Sequence, residues 1–206
     1  MTTDQDITGT DPHRYERDVT GFGRVTVRPV DPEGDVDLLH GWVTQERAGF
    51  WGMLDADRER VREIYAYLDS LTTHHAYLVH RDGLPVALFQ TYQPEADPVG
   101  ECYSVQPGDF GLHLFVGPAP ASEPGFTGRL FGVLLDFVWA DPGRRRLLAE
   151  PDARNERAVA RLLRAGFRLG PLIDKPEKRA RLLFLDRPST EDRPSATGDE
   201  PTAAER

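Results

Sequence analysis

Two side chains and one glycine-containing loop have the types and settings for chemistry. His113 stands in "DFGLHLFVG", where Phe110, Leu112, Leu114 and Val116 alternate with Gly111, His113 and Phe115. That alternation predicts a strand with its large apolar residues on one face and His113 on the other. An imidazole titrates near neutrality and can take a proton in working conditions, although a strand histidine also serves as a plain hydrogen-bonded structural group. Asp152 follows the apolar run "RRRLLAE" and directly precedes a helix pattern. A carboxylate there can hold or deprotonate a substrate amine, or it can cap the helix, and the two roles are compatible. Asn155 has the same pair of readings, a cap or a hydrogen-bond partner for an amide-bearing ligand.

The loop contains Ser122, Gly125, Phe126, Thr127 and Gly128 and sits between a strand pattern and a helix pattern. A helix N-terminus offers unpaired N–H groups and a positive dipole end, and glycines let a phosphate approach the backbone. A diphosphate ligand fits such a junction, with Arg129 adding charge. A surface loop leading into a helix capped by Thr127 fits as well. Thr73, His74 and His75 lack metal-ligand spacing and read as a solvated loop. Residues 144–146 (Arg-Arg-Arg) read as a solvated strand entry, and Trp51 as core filling or more. No metal site, no Ser-His-Asp pattern and no Walker-type loop is expected.

The elements that must position these residues follow from hydropathy. Residues 24–30 alternate and read as a strand; a short helix follows around Val36, Leu38, Leu39 and Trp42. Val61, Ile64, Tyr65, Leu68 and Leu71 mark one stripe of an amphipathic helix. Two strands, "AYLVH" and "PVALFQTY", flank an Asp-Gly hairpin signal. After a long connection come the His113 strand and the glycine loop. Next is a helix striped by Leu130, Leu134, Phe137 and Val138, stopped at Pro142. The strand "RRRLLAE" leads into a helix whose Ala158, Val159, Leu162 and Leu163 are expected inward. Gly166 closes that helix as a C-terminal glycine does, and two strands separated by "KPEK" finish the domain. Strands joined by single helices predict a parallel pair and hairpins an antiparallel part, hence an α/β mixed sheet with helices on its faces.

Bulk properties narrow the function. The 206 residues carry 25 Lys+Arg against 34 Asp+Glu, a net charge of −9. That gives no positive footprint for nucleic acid and a weak preference for cationic or amine-bearing partners. One cysteine, Cys102, excludes an internal disulfide and suits a reducing cytoplasm. No secretory leader and no membrane span is expected. Residues 1–20 and 188–206 are polar and without period, and both are expected to be disordered tails around a single domain over 21–187.

The segment "NERAV…LRAGF", with the strand, glycine loop and helix over 110–139, resembles the GNAT superfamily of acyl-CoA-dependent N-acyltransferases. "DFGLHLFVG", "EPDARN", "KRARL", "FWGM" and "ALFQTY" are similar to its hydroxamate-siderophore branch, which acylates N-hydroxylysine or N-hydroxylated diamines. The resemblance implies a GNAT-type central sheet and a direct transfer from acetyl-CoA or another short acyl-CoA to an amine or hydroxylamine. It implies His113 and Asp152 as the active-site pair. Leu114, Val116, Gly125, Phe126, Thr127, Gly128, Arg129 and Asn155 fall to the acyl-CoA, and Trp51, Gln90 and Tyr92 to the amine. Gln90 and Thr91 stand where the branch pattern has a Glu before the Tyr. Leu162 replaces a Tyr that in many relatives protonates the leaving thiolate. An aminoglycoside 6′-N-acetyltransferase shares the "WADP" helix end, and a non-catalytic CoA-binding module is the alternative of another class. A monomer or a homodimer is expected.

Overall fold

The structure is a computed structural model that describes residues 14–118 and 123–188. Eight strands form one sheet: β1 (Tyr15–Val19), β2 (Gly23–Pro29), β3 (His74–Arg81), β4 (Leu84–Tyr92), β5 (Asp109–Val116), β6 (Arg146–Ala149), β7 (Arg168–Asp174) and β8 (Arg179–Asp186). Their spatial order is β1-β2-β3-β4-β5-β6-β8-β7. All neighbours are antiparallel except β5 and β6. The four helices are α1 (Val36–Val43), α2 (Arg58–Asp69), α3 (Phe126–Trp139) and α4 (Glu156–Arg164).

Alternation along the strands divides the core. Phe89, Phe110, Leu112, Leu147 and Leu183 meet Leu130, Leu134 and Phe137 of α3 and Leu162 of α4 on one face. Leu78, Leu88 and Phe115 meet Leu39, Trp42, Val61 and Tyr65 of α1 and α2 on the other. Tyr92, Leu148, Ala180 and Leu182 form a third cluster under Val99, which the β4–β5 connection brings in through two short 3-10 turns, Pro94–Ala96 and Pro98–Glu101. Helices therefore cover both faces, as the hydropathy pattern predicts. The Asp82-Gly83 hairpin forms with both residues at positive φ, 51° and 79°, the backbone of a type I′ turn.

Four expectations need correction. The expected N-terminal tail contributes β1: Tyr15 pairs with Val27 and Val19 with Gly23, and the Tyr15 ring lies 5.6 Å from that of Phe137. Glu16, Arg17 and Asp18 between them form surface ion pairs with Arg24 and Asp136, and those charges hid the strand. Residues 1–13 and 189–206 of the expected tails, and Ser122, lie outside the described residues. Leu163 points to solvent, 41% exposed, because α4 presents only Val159 and Leu162 to the sheet. Thr127 does not cap α3; the cap position is Gly125 at φ 75°. His74 and His75 belong to β3, where His74 stacks on Tyr92 at 5.8 Å.

One feature of the sheet matters most for function. β5 pairs with β6 only through Asp109↔Arg146, Phe110↔Leu147 and Gly111↔Leu148. It stays paired with β4 as far as Val116. Beyond Gly111 the two parallel strands therefore part, and the β6-facing edge of β5 keeps N–H and C=O groups without a strand partner.

Candidate active site

Parity along three strands brings four polar side chains to one place. His113 shares its face with Phe115, Gln90 with Leu88 and Tyr92, and Glu150 continues the parity of Leu148. They meet at the seam between the second and third clusters, beside the point where β5 and β6 separate. The His113 Nε2 lies 2.7 Å and 2.9 Å from the two carboxylate oxygens of Glu150. Its Nδ1 lies 3.4 Å from Gln90 Oε1. The Tyr92 hydroxyl donates to Glu150 Oε2 at 3.0 Å. Trp51 meets the imidazole edge-on at 6.3 Å.

Glu150 is 1% exposed, so its charge needs compensation. The β7–β8 turn supplies it. Lys175 Nζ lies 3.4 Å and Lys178 Nζ 3.7 Å from Glu150 Oε1. Lys175 also faces Asp97 at 3.8 Å and Glu177 at 3.2 Å, and Asp97 faces His74 at 3.6 Å. Burial opposes ionisation of Glu150, yet His113, Lys178 and Lys175 hold its carboxyl well below the ordinary range. Burial likewise opposes the Lys175 charge, but Glu150, Asp97 and Glu177 outweigh it and raise its pKa. Burial, followed by the Glu150 charge, pushes the Tyr92 phenol up. At neutral pH Glu150 is thus an anion, Lys175 a cation and Tyr92 a neutral donor.

The carboxylate that meets His113 belongs to Glu150. Asp152 turns to the β6–α4 loop. Its Oδ1 accepts from the Arg154 backbone and from Arg154 Nε, both at 2.9 Å, and its Oδ2 from Arg154 Nη2 at 2.7 Å. Its backbone bridges to Ala180. The Arg154 hydrogen bonds hold its carboxyl at about 2. Asn155 caps α4, its Oδ1 accepting from Ala158 N at 3.1 Å. Tyr92 is 2% exposed; it is buried on the same face, 5.2 Å from the His113 ring, and supports Glu150 through its hydroxyl. Trp51 and Gln90 are half-buried beside His113, as a substrate-facing pair would be. Leu162 is a core residue under α4.

On the expected acyl-CoA side, Leu114 and Val116 are half-buried at the end of β5 beyond the strand separation. The Val116 carbonyl accepts from Arg47 at 3.0 Å. Gly125 and Gly128 are exposed, and a Cβ at either meets nothing within 4 Å, so the first turn of α3 is sterically open. Phe126 is half-buried against Phe22 at 5.4 Å, a packing role, and Thr127 is half-buried in the same turn. Arg129 is already engaged: it pairs with Glu123, donates to the Gly21 carbonyl at 2.9 Å and covers the Phe22 ring at 4.8 Å. Backbone N–H groups, not Arg129, are the donors left for an anion there. The parted strands and the open helix start fit an extended thioester carrying a diphosphate.

The sequence reading missed Glu150, Lys175, Lys178 and Asp97. Glu150 was findable, because its parity with Leu148 puts it on the His113 face once "RRRLLAE" is a strand. The lysines and Asp97 had no local signal; only the sheet order brings β8 beside β6.

The fold is a mixed sheet with one parted parallel pair and helices on both faces. The chain matches the Acetyltransferase (GNAT) domain family over residues 31–175 and belongs to it. It is 31% identical over 168 residues to N(6)-hydroxylysine O-acetyltransferase of Escherichia coli, covering 79% of this chain and 52% of that protein. It is 29% identical over 110 residues to the lysine N-acyltransferase MbtK of Mycolicibacterium paratuberculosis, covering 53% and 50%. The chain thus spans about half the length of these relatives. Its fold matches that of the aminoglycoside acetyltransferase AAC(6')-Ib in complex with coenzyme A, with a TM-score of 0.69 at 22% identity, covering 79% of this chain and 95% of the other. Among the described residues no helix is long and apolar enough to cross a membrane.

Proposed function

We propose that this protein is an acyl-CoA-dependent N-acyltransferase for an N-hydroxylated amine of the N-hydroxylysine or N-hydroxycadaverine type, serving siderophore assembly. The observation that carries the reading is the place of His113, beside the parting of β5 and β6 and held by a buried carboxylate. The names of the hydroxylysine and lysine acyltransferase relatives support the substrate class.

An acyl-CoA supplies a thioester carbonyl: the substrate nitrogen bonds to its carbon, the C–S bond breaks, and the thiolate departs with that bond's electron pair, to be protonated to the thiol. The residues of this chain do the rest. The uncovered edge of β5 offers backbone donors to the developing oxyanion. A hydroxylamine nitrogen is less basic than an alkyl amine and is largely neutral at pH 7, so His113 need only orient it and take the proton released on attack, directly or through one water. Trp51 and Gln90 flank the imidazole and shape the approach. Leu162 donates no proton, so protonation of the thiolate falls to water or another group.

The test is a matrix of acetyl-, succinyl- and malonyl-CoA against N6-hydroxylysine, N-hydroxycadaverine and kanamycin, read as thiol release and product mass. Turnover on a hydroxylamine is expected. Turnover on kanamycin alone would establish the aminoglycoside reading, and CoA affinity without turnover a binding module.

A further inference from the structure

We infer that Glu150 is the positioning residue of this site: it fixes His113 as the Nε2–H tautomer and leaves Nδ1, on the Gln90 side, as the atom that accepts the proton. The inference rests on the reading of His113 as proton acceptor, but its core is a statement about the resting protein.

An ionised carboxylate accepts hydrogen bonds and donates none. Glu150 is fully buried, and every group facing it is a cation or a donor: Lys175 and Lys178 from the β7–β8 turn, the Tyr92 hydroxyl from β4, and His113 from β5. Next outward come Asp97, Glu177 and His74, which pair with Lys175 or with one another. Asp152 and Arg154 on the following loop satisfy each other. A carboxylate so surrounded stays charged, so the ring nitrogen 2.7 Å from it must carry hydrogen. The neutral ring then has its lone pair on Nδ1. Gln90 stands 3.4 Å from that atom, and its side-chain amide, whose two ends are interchangeable by a flip, can turn its NH2 there until substrate replaces it.

Two consequences follow. Glu150 is not itself the proton acceptor, because its oxygens are already taken by His113, the Tyr92 hydroxyl, Lys175 and Lys178. The substrate nitrogen approaches from the Gln90 side of the ring, opposite Glu150.

The test is long-range ¹H–¹⁵N correlation spectroscopy on histidine-labelled full-length protein at a pH where the ring is neutral. His113 is assigned by the signals lost in His113→Asn. A protonated Nε2 with a bare Nδ1 is expected, and an Nδ1–H form or an even mixture would overturn the inference. In Glu150→Gln the preference should relax and kcat should fall at least tenfold but by no more than the roughly 10²–10⁴ that a general base supplies, with the KM for acyl-CoA unchanged. If that variant does not fold, Lys178→Met provides the second reading. It should leave the tautomer in place and soften the signature of an ionised Glu150 carboxylate in ¹³C titration; an unaltered carboxylate titration would count against the lysine part. Full activity in His113→Ala would instead sink the functional reading while leaving the tautomer result standing, so the two failures are separable.

Discussion

Tyr92 lies directly opposite Gly111 in the β4–β5 ladder, and its ring occupies the space that a side chain on Gly111 would fill. The same ring sends its hydroxyl to Glu150, which holds His113. The glycine in "DFGLH" is thus a seat for an aromatic, and the aromatic reaches the chemistry through one carboxylate.

Gly111→Ala should therefore damage both stability and turnover. The new methyl overlaps a fully buried ring that has nowhere to move, and such overpacking costs about 1–3 kcal/mol. The displaced hydroxyl leaves Glu150 one donor short, and His113 loses its register. Urea denaturation should show the loss of stability, and kcat should fall more than the stability loss explains. A Gly111→Ala protein with normal kcat at a temperature well below its Tm would separate Tyr92 from catalysis.

His113→Ala and Asp152→Ala should behave differently, although the sequence paired them. Loss of His113 removes the proposed proton acceptor and should lower kcat by about 10²–10⁴, leaving acyl-CoA affinity near that of the wild type. Asp152 is bound to Arg154 and to the β8 backbone. Its removal should loosen the β6–α4 loop and raise the KM for acyl-CoA or amine while kcat changes less than tenfold. Steady-state kinetics on both substrates distinguish the outcomes; equal collapse of kcat in the two variants would restore the pairing.

The domain was legible in the sequence because its periods are clean. The His113 strand, the Asp82-Gly83 hairpin and the α4 helix with its Asn155 cap all follow from local pattern. β1 was not, because three consecutive charges sit between Tyr15 and Val19 and the apolar ends alone carry no period. Part of the candidate site was legible for the same reason: His113, Gln90 and Trp51, all named from the sequence, lie near one another. The carboxylate that touches His113 is Glu150, two residues before the Asp152 that the resemblance implies. Asp152 and Glu150 have the same parity, but the strand ends at Ala149, before both; Glu150 still continues its direction, while the loop turns Asp152 to Arg154. The lysines come from a turn some twenty-five residues further on and become neighbours only when β8 inserts between β6 and β7.

Asn155→Ala tests whether the α4 cap has a second task. The side-chain oxygen is engaged by Ala158 N, and its NH2 group makes no hydrogen bond among the described residues. Loss of the cap should cost about 0.5–2 kcal/mol. If the NH2 group also reaches an acyl-CoA, the KM for that substrate should rise severalfold with kcat unchanged, whereas a pure cap would leave KM alone. Calorimetry and initial rates on the same preparation read both.

The buried charge of Glu150 makes a signed prediction for pH. Its carboxyl is held below the ordinary value of 4.5, so the unfolded chain takes up this proton before the folded one does. The stabilisation is therefore full above about pH 4.5 and declines as pH falls further. Lys175, with its pKa raised above 10.5, contributes fully below that value, so both charges are in place at pH 7. Glu150→Gln cannot titrate and leaves a buried cation undercompensated, at a cost of up to about 3–5 kcal/mol at pH 7. That deficit should shrink when wild type and variant are compared at pH 3, because the wild type has by then lost part of the same contribution. The other depressed acids, Asp35, Asp37, Glu59, Asp109, Asp152 and Glu177, are common to both proteins and cancel to first order in the difference. Urea titrations at the two pH values measure it, and a deficit that stayed constant or grew on acidification would mean that Glu150 is not held as an anion in the folded protein.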